Sequence, residues 1–306
     1  MIEIPPVVAD WQWMAAAFVF GAMWGSFANV VIHRWPLEQS VVRPASRCPE
    51  CGAAIRCRDN VPVLSWLLLR GRCRACGARI SPRYPVVELA LALLSVGVLR
   101  LTLLADPPTF QQGLGEYFIW FAFVWALVTA GTIDLEHYLL PDCITLPGIA
   151  VGLAANAFVL DLGWQEPLIA AAGGFAAVRL LFVDGYRLLT GRSGMGAGDP
   201  KLVAMLGAFL GIRGVMFALF AGALQGLIAG TAMVVLRRRG GRLEAEPVFE
   251  EEVDEETGEA PAADPRMLKA RVPFGPFLAL GAIEYLFFGP ALLDAWSAAA
   301  AGLFGN

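Results

Sequence analysis

Long apolar runs separated by short polar stretches dominate the chain. Trp11 to Ile32, Tyr117 to Ile133, Ile144 to Leu160 and Val215 to Leu236 each approach or exceed the ~20 residues a helix needs to cross a bilayer. Further spans are expected at about 85–104, 167–184 and 274–289, with a shorter apolar stretch from Leu202 to Ile212. The pattern predicts an all-α integral membrane protein of seven or eight transmembrane helices. Composition agrees: 57% of residues are hydrophobic, 16% are charged and the mean hydropathy is +0.61, too apolar for an ordinary soluble domain. The first run is expected to stay in the membrane. It lacks a basic leader region, follows the acids Glu3 and Asp10, and is about twice the length of a signal-peptide core.

Basic residues decide between seven and eight. With eight spans and both termini outside, the inner loops receive Arg34 through Arg83, then Arg187, Arg192 and Lys201, then Arg237 through Arg271. Of the 23 lysines and arginines only Arg100, Arg179 and Arg213 fall elsewhere. This is the asymmetry expected of inward-facing loops, and it makes Leu202 to Ile212 a short or tilted crossing of its own. The formal charge of −4 says little about partners, because one segment dominates it. Ten acids lie between Gly240 and Pro265 against Arg242 alone, so residues 240–271 read as a solvated, disordered cytosolic loop; an acidic lure for basic peptides is the functional alternative.

The first inner loop, about residues 34–84, carries Cys48-Pro-Glu-Cys51-Gly52 and Cys73-Arg-Ala-Cys76-Gly77, with 21 residues between the two pairs. Two such knuckles can supply four thiolates in a tetrahedron, which suits structural zinc. Two disulfides or a redox dithiol are the alternatives, disfavoured in a reducing cytosol. A closed four-thiolate site has no open position for water or substrate, so the metal would fold the loop rather than carry out chemistry. Cys57 and Cys143 lie outside both knuckles and read as ordinary small apolar residues.

Acids at the ends of hydrophobic spans call for a functional explanation. Asp134 ends the third span, in Gly131-Thr-Ile-Asp134, and Asp199 begins the sixth, in Gly194-Met-Gly196-Ala-Gly198-Asp199-Pro-Lys201. The threading puts both at the same cytoplasmic boundary. The three glycines would let a backbone approach closely; they follow no strand and lack the Lys-Ser/Thr ending, so phosphate binding is discounted. Two adjacent carboxylates cannot both ionise easily and share a proton. One can then activate water while the other polarises a carbonyl. Helix capping or topology would be the structural explanation of either residue, and Glu136, His137 and Asp142 nearby invite the same one.

Several segments together resemble the type IV prepilin peptidases, also called leader peptidases and N-methyltransferases. These are Gly25-Ser-Phe-Ala-Asn29-Val-Val-Ile-His-Arg34, the paired knuckles, Ile80-Ser-Pro-Arg-Tyr84-Pro-Val-Val-Glu88, Ile133-Asp134 through Leu140-Pro141-Asp142, Gly194 through Leu202, and Pro273-Phe-Gly-Pro-Phe277. The resemblance implies that Asp134 and Asp199 are the catalytic pair of a membrane aspartic protease, similar in logic to presenilin-like enzymes. It implies substrates, too: type IV prepilins, or type II secretion pseudopilins, whose short basic leader is cut after glycine at the cytoplasmic face of a bacterial inner membrane. Members with the cysteine loop also methylate the new N-terminus with S-adenosylmethionine, so both activities are expected. No soluble dinucleotide-type glycine fingerprint marks the methyl-donor site; Glu88 and Asn29 are its candidates, with interhelical hydrogen bonding as the structural alternative.

On this reading residues 10–104 form an N-terminal domain, the first two spans plus the zinc loop, carrying the methyltransferase part. Residues 115–236 form the peptidase core, and residues 272–306 the last span and tail. The other partner expected is membrane lipid, and no nucleic acid. Two rival readings remain: a peptidase without methyltransferase activity, and a transporter or assembly scaffold whose zinc loop binds a partner.

Overall fold

A computed structural model describes residues 9–105, 107–190, 195–239 and 273–304; the acidic segment 240–271 lies outside them. The helices are α1 Asp10–Arg34, α2 Leu64–Leu68, α3 Arg83–Leu101, α4 Phe110–His137, α5 Asp142–Phe158, α6 Gln165–Val178, α7 Tyr186–Thr190, α8 Asp199–Arg239 and α9 Gly275–Phe304. A π-helical turn, Arg179–Gly185, joins α6 to α7. Among the described residues no strand forms beyond two isolated bridges, Arg47 with Ala54 and Arg72 with Arg79. The described part of the protein is all-helical. Among the described residues five helical stretches are long and apolar enough to cross a membrane: Asp10–Leu37, Arg83–Leu101, Phe110–His137, Gln165–Leu189 and Asp199–Met233. Asp142–Phe158 and Gly275–Gly289 are shorter apolar helices.

Small residues set the helix packing. A Cβ at Gly21 would lie 2.5 Å from the Leu91 carbonyl oxygen, and one at Gly25 would lie 2.6 Å from the Glu88 Cα, so α1 and α3 meet backbone to backbone as small-residue seams allow. Ser95 on α3 closes that seam by donating to the Ala17 carbonyl at 2.7 Å, and it lies 2.7 Å from the Tyr117 hydroxyl of α4. One buried cluster, with Ile32, Leu91, Val98, Val124 and Ile133, joins α1, α3 and α4. A second, with Phe123, Leu127, Leu202, Met205, Leu206 and Leu278, joins α4, α8 and α9. Helix α4 belongs to both, which ties the N-terminal helices to the C-terminal ones.

Helix α8 is not straight. Gly211 has φ 68° and ψ −169°, a conformation open to glycine alone. Val203 and Val215 both lie against Gly174, 2.9 and 3.5 Å from where its Cβ would stand. Twelve residues of continuous helix would separate them by about 18 Å, so the chain turns back at Gly211. Asn156 donates to the Ala208 and Phe209 carbonyls at 2.9 and 3.3 Å, and Glu166 accepts from the Ile212 N–H at 3.4 Å. These side chains take up backbone groups that the break frees. The two apolar runs Leu202 to Ile212 and Val215 to Leu236 are therefore the two arms of a helical hairpin.

Candidate active site and metal site

Asp134 lies in the last turn of α4 and Asp199 is the first residue of α8; each is 6% exposed. Among the described residues each side chain accepts from a backbone N–H outside its own helix. Asp134 Oδ2 accepts from the Gly275 N–H at 3.0 Å, a donor left free because Gly275 begins α9. Asp199 Oδ2 reaches back to the Gly196 N–H at 3.0 Å. The two acids are near enough for the charge of Asp134 to act on Asp199.

Leu140 explains how residues so far apart in sequence converge. A Cβ on Gly198 would lie 2.7 Å from Leu140 Cβ, while one on Gly275 would lie 3.1 Å from Leu140 Cδ2 and 2.5 Å from Asp134 Oδ2. The segments bearing both carboxylates and the start of α9 thus close around one side chain. Gly198 and Gly275 have room for no more.

The neighbouring acids are occupied. Asp142 pairs with Lys201 at 2.7 Å, tying the start of α5 to the start of α8, and Glu136 pairs with Arg83, tying the end of α4 to the start of α3. Asp134 and Asp199 make no ion pair among the described residues; a backbone N–H holds each, the buried one of Gly275 for Asp134 and that of the exposed Gly196 for Asp199. Of the segment Gly194 to Asp199, Gly194 lies outside the described residues.

The four thiols of Cys48, Cys51, Cys73 and Cys76 lie within 4.8 Å of one another. All six cysteines are free, and the Cys48 and Cys76 sulfurs lie 3.9 Å apart. That excludes a disulfide there, which needs about 2 Å, and matches the ~3.8 Å between sulfurs of a tetrahedral zinc with 2.3 Å bonds. The two knuckles repeat one geometry: Gly52 N–H donates to the Cys48 carbonyl and Gly77 N–H to the Cys73 carbonyl, both at 2.9 Å. Both glycines adopt positive φ, which a side chain would strain. The donor set fits a metal ion. Backbone N–H groups of Cys76 and Ala75 hold the Cys73 thiol down to about 7, as suits a residue that must bind as thiolate. Cys57 and Cys143 are exposed and stand apart from the cluster.

Asn29 and Glu88 face each other's helices in the α1–α3 seam. Asn29 donates to the Tyr84 carbonyl at 3.0 Å, while its buried Oδ1 has no partner among the described residues. Glu88 accepts from the Val63 N–H at 2.7 Å and from the Ser26 hydroxyl. Val63, Leu140 and Gly275 drew no role from the sequence, although the Gly-Pro pair at 275–276 is a usual helix start and marks where a free N–H would stand.

Two family profiles match this chain. The Bacterial Peptidase A24 N-terminal domain covers residues 19–101, and the Type IV leader peptidase family covers residues 120–231. The chain is 37% identical to a protein of Myxococcus xanthus named "Prepilin leader peptidase/N-methyltransferase", over 90% of each chain. It is 34% identical to proteins of the same name from Aeromonas hydrophila, over 92% of this chain and 93% of that one, and from Stutzerimonas stutzeri, over 89% and 90%. No solved structure matches. The chain belongs to the type IV leader peptidase family, a family of aspartic peptidases.

Proposed function

We propose that this protein removes the basic leader of type IV prepilins, and of type II secretion pseudopilins, at the cytoplasmic face of a bacterial inner membrane. It then methylates the exposed N-terminus. The observation that carries the proteolytic step is the convergence of two buried, unpaired carboxylates, Asp134 and Asp199, on Leu140 and Gly275. At such a pair one carboxylate takes a proton from water as it attacks, and the other donates to the scissile carbonyl oxygen. Gly275 N–H orients the first acid and Gly196 N–H the second. Gly196 is exposed, and a Cβ there would meet only Asp199 Oδ2 at 3.4 Å, which leaves space for an extended substrate backbone.

Eight crossings are assigned: α1, α3, α4, α5, the α6–α7 stretch, the two arms of α8, and α9. The reversal at Gly211 supports this count, and the distribution of basic residues supports an inward-facing site. Zinc is assigned to Cys48, Cys51, Cys73 and Cys76 as a structural ion of the 34–84 loop. The methyltransferase part is assigned to residues 10–104, the peptidase core to residues 115–236 and the last span and tail to residues 272–306. S-adenosylmethionine supplies the methyl group when bound. Asn29 is the better candidate for holding it, since its buried Oδ1 is an acceptor awaiting a donor; Glu88 is the second, its carboxylate already engaged.

The test is mass analysis of a prepilin co-expressed with the protein. The wild type should yield a product shortened by its leader and heavier by one methyl group. Asp134→Asn and Asp199→Asn should each leave the precursor intact while the protein still inserts; cleavage surviving either change would refute the paired-acid assignment. A shortened but unmethylated product would leave a peptidase alone.

A further inference from the structure

Helix α2 presents an apolar stripe that nothing among the described residues covers. Leu64, Leu67 and Leu68 are 57%, 57% and 81% exposed, and their i, i+3, i+4 spacing puts them on one face. Ser65, on the other face, is buried. Its hydroxyl donates to the Arg58 carbonyl at 3.2 Å and accepts from the Val61 N–H at 2.8 Å. The loop therefore fixes which way the stripe points.

Its attachment to α3 is fixed as well. Val63 N–H donates to Glu88 at 2.7 Å, and Glu88 lies five residues into α3, roughly 7–8 Å along the helix from Arg83 at its start. Val63 itself has φ 62° and ψ −52°, and the Leu64 N–H reaches the Pro62 carbonyl at 2.6 Å. This γ-turn is costly for a β-branched residue and persists only where the surroundings over-determine it. From the middle of α2, Trp66 Nε1 donates to the Ile80 carbonyl at 3.1 Å. The loop thus ties the residue that precedes α2 to Glu88, in the second turn of a helix long and apolar enough to span a membrane.

Charge completes the picture. Arg56, Arg58, Arg70 and Arg72 are exposed and make no ion pair among the described residues; Asp59, the acid between them, is taken by Arg74 at 2.7 Å. A basic leader peptide would be repelled here. An anionic surface would be attracted.

We propose that α2 is an interfacial anchor seated in the bilayer: Leu64, Leu67 and Leu68 lie among acyl chains, and Arg70 and Arg72 rest on the phosphates of anionic lipids. The anchor holds the cysteine loop against the membrane. This rests on the reading of α3 as a membrane span.

The test places the photoreactive residue benzoylphenylalanine at Leu68, and separately at Leu93 on the exposed face of α3, in the full chain reconstituted into phosphatidylglycerol vesicles. Irradiation should give a phospholipid adduct at both positions, identified by mass. An adduct at position 93 with none at 68, or a cross-link from 68 to a second copy or to a prepilin, overturns the anchor and leaves the α3 span standing. No lipid adduct at either position overturns the span and the anchor together. Exchanging phosphatidylglycerol for phosphatidylcholine should lower the yield at 68 severalfold and leave 93 unchanged. The paired change Arg70→Glu and Arg72→Glu should do the same in phosphatidylglycerol; equal yields in both lipids would overturn the assignment of the arginines.

Discussion

At the scale of single residues, the site depends on atoms that are missing. Gly275 has no Cβ, and one placed there would stand 2.5 Å from Asp134 Oδ2. Gly275→Ala should therefore push the carboxylate aside and lower kcat on the order of 100-fold, with less effect on KM, as measured by leader cleavage. Asp142→Asn should cost far less than either Asp134→Asn or Asp199→Asn, because Asp142 already serves Lys201. In the metal-free protein the Cys73 thiol, held down to about 7, ionises below its ordinary 9.0, whereas the neighbouring thiols push Cys76 up to about 12 against the pull of the Ala78 N–H. Alkylation near pH 7.5 should accordingly mark Cys73 before Cys76. Labelling of Cys73 should slow as the pH falls below 7 and the thiol regains its proton, and peptide mapping would read it.

Elements respond as units. The knuckle loop has little apolar core of its own, so a metal held by the four thiols would steady its fold. Cys48→Ser or Cys73→Ser, or chelation, should raise proteolytic sensitivity across residues 34–84 and reduce methylation at least as much as cleavage, as mass analysis of the product would show. The α8 hairpin has a different weak point. Gly211→Val would force a β-branched residue to φ 68° and drive its Cβ toward Glu166 Oε1. A loss of about 1–3 kcal/mol is expected, measurable as a lowered melting temperature in detergent. Because this hairpin carries Asp199 on its first arm, cleavage should fall with it.

Across the whole molecule, the apolar pattern and the two Cys-x-x-Cys pairs already specify an all-helical chain with membrane-length helices and a tight thiol cluster. They do so because burial in lipid and metal ligation are written in local composition and spacing. The resemblance carried by Gly194 to Asp199 and its companion segments led to the family that the comparisons establish. Other features needed the assembled helices. The sequence offers four acids near one boundary, Asp134, Glu136, Asp142 and Asp199, without saying which are spare. Only the packing of α3 on α4 and of α5 on α8 gives Glu136 to Arg83 and Asp142 to Lys201. Likewise, no local rule sends the Gly275 N–H to a carboxylate 141 residues earlier, or the Val63 N–H into the first turns of α3. Such contacts arise where separate helices arrive at the same point, and that meeting is a property of the fold, since side-chain preferences act over a few residues and ion pairs and hydrogen bonds only over a few ångströms.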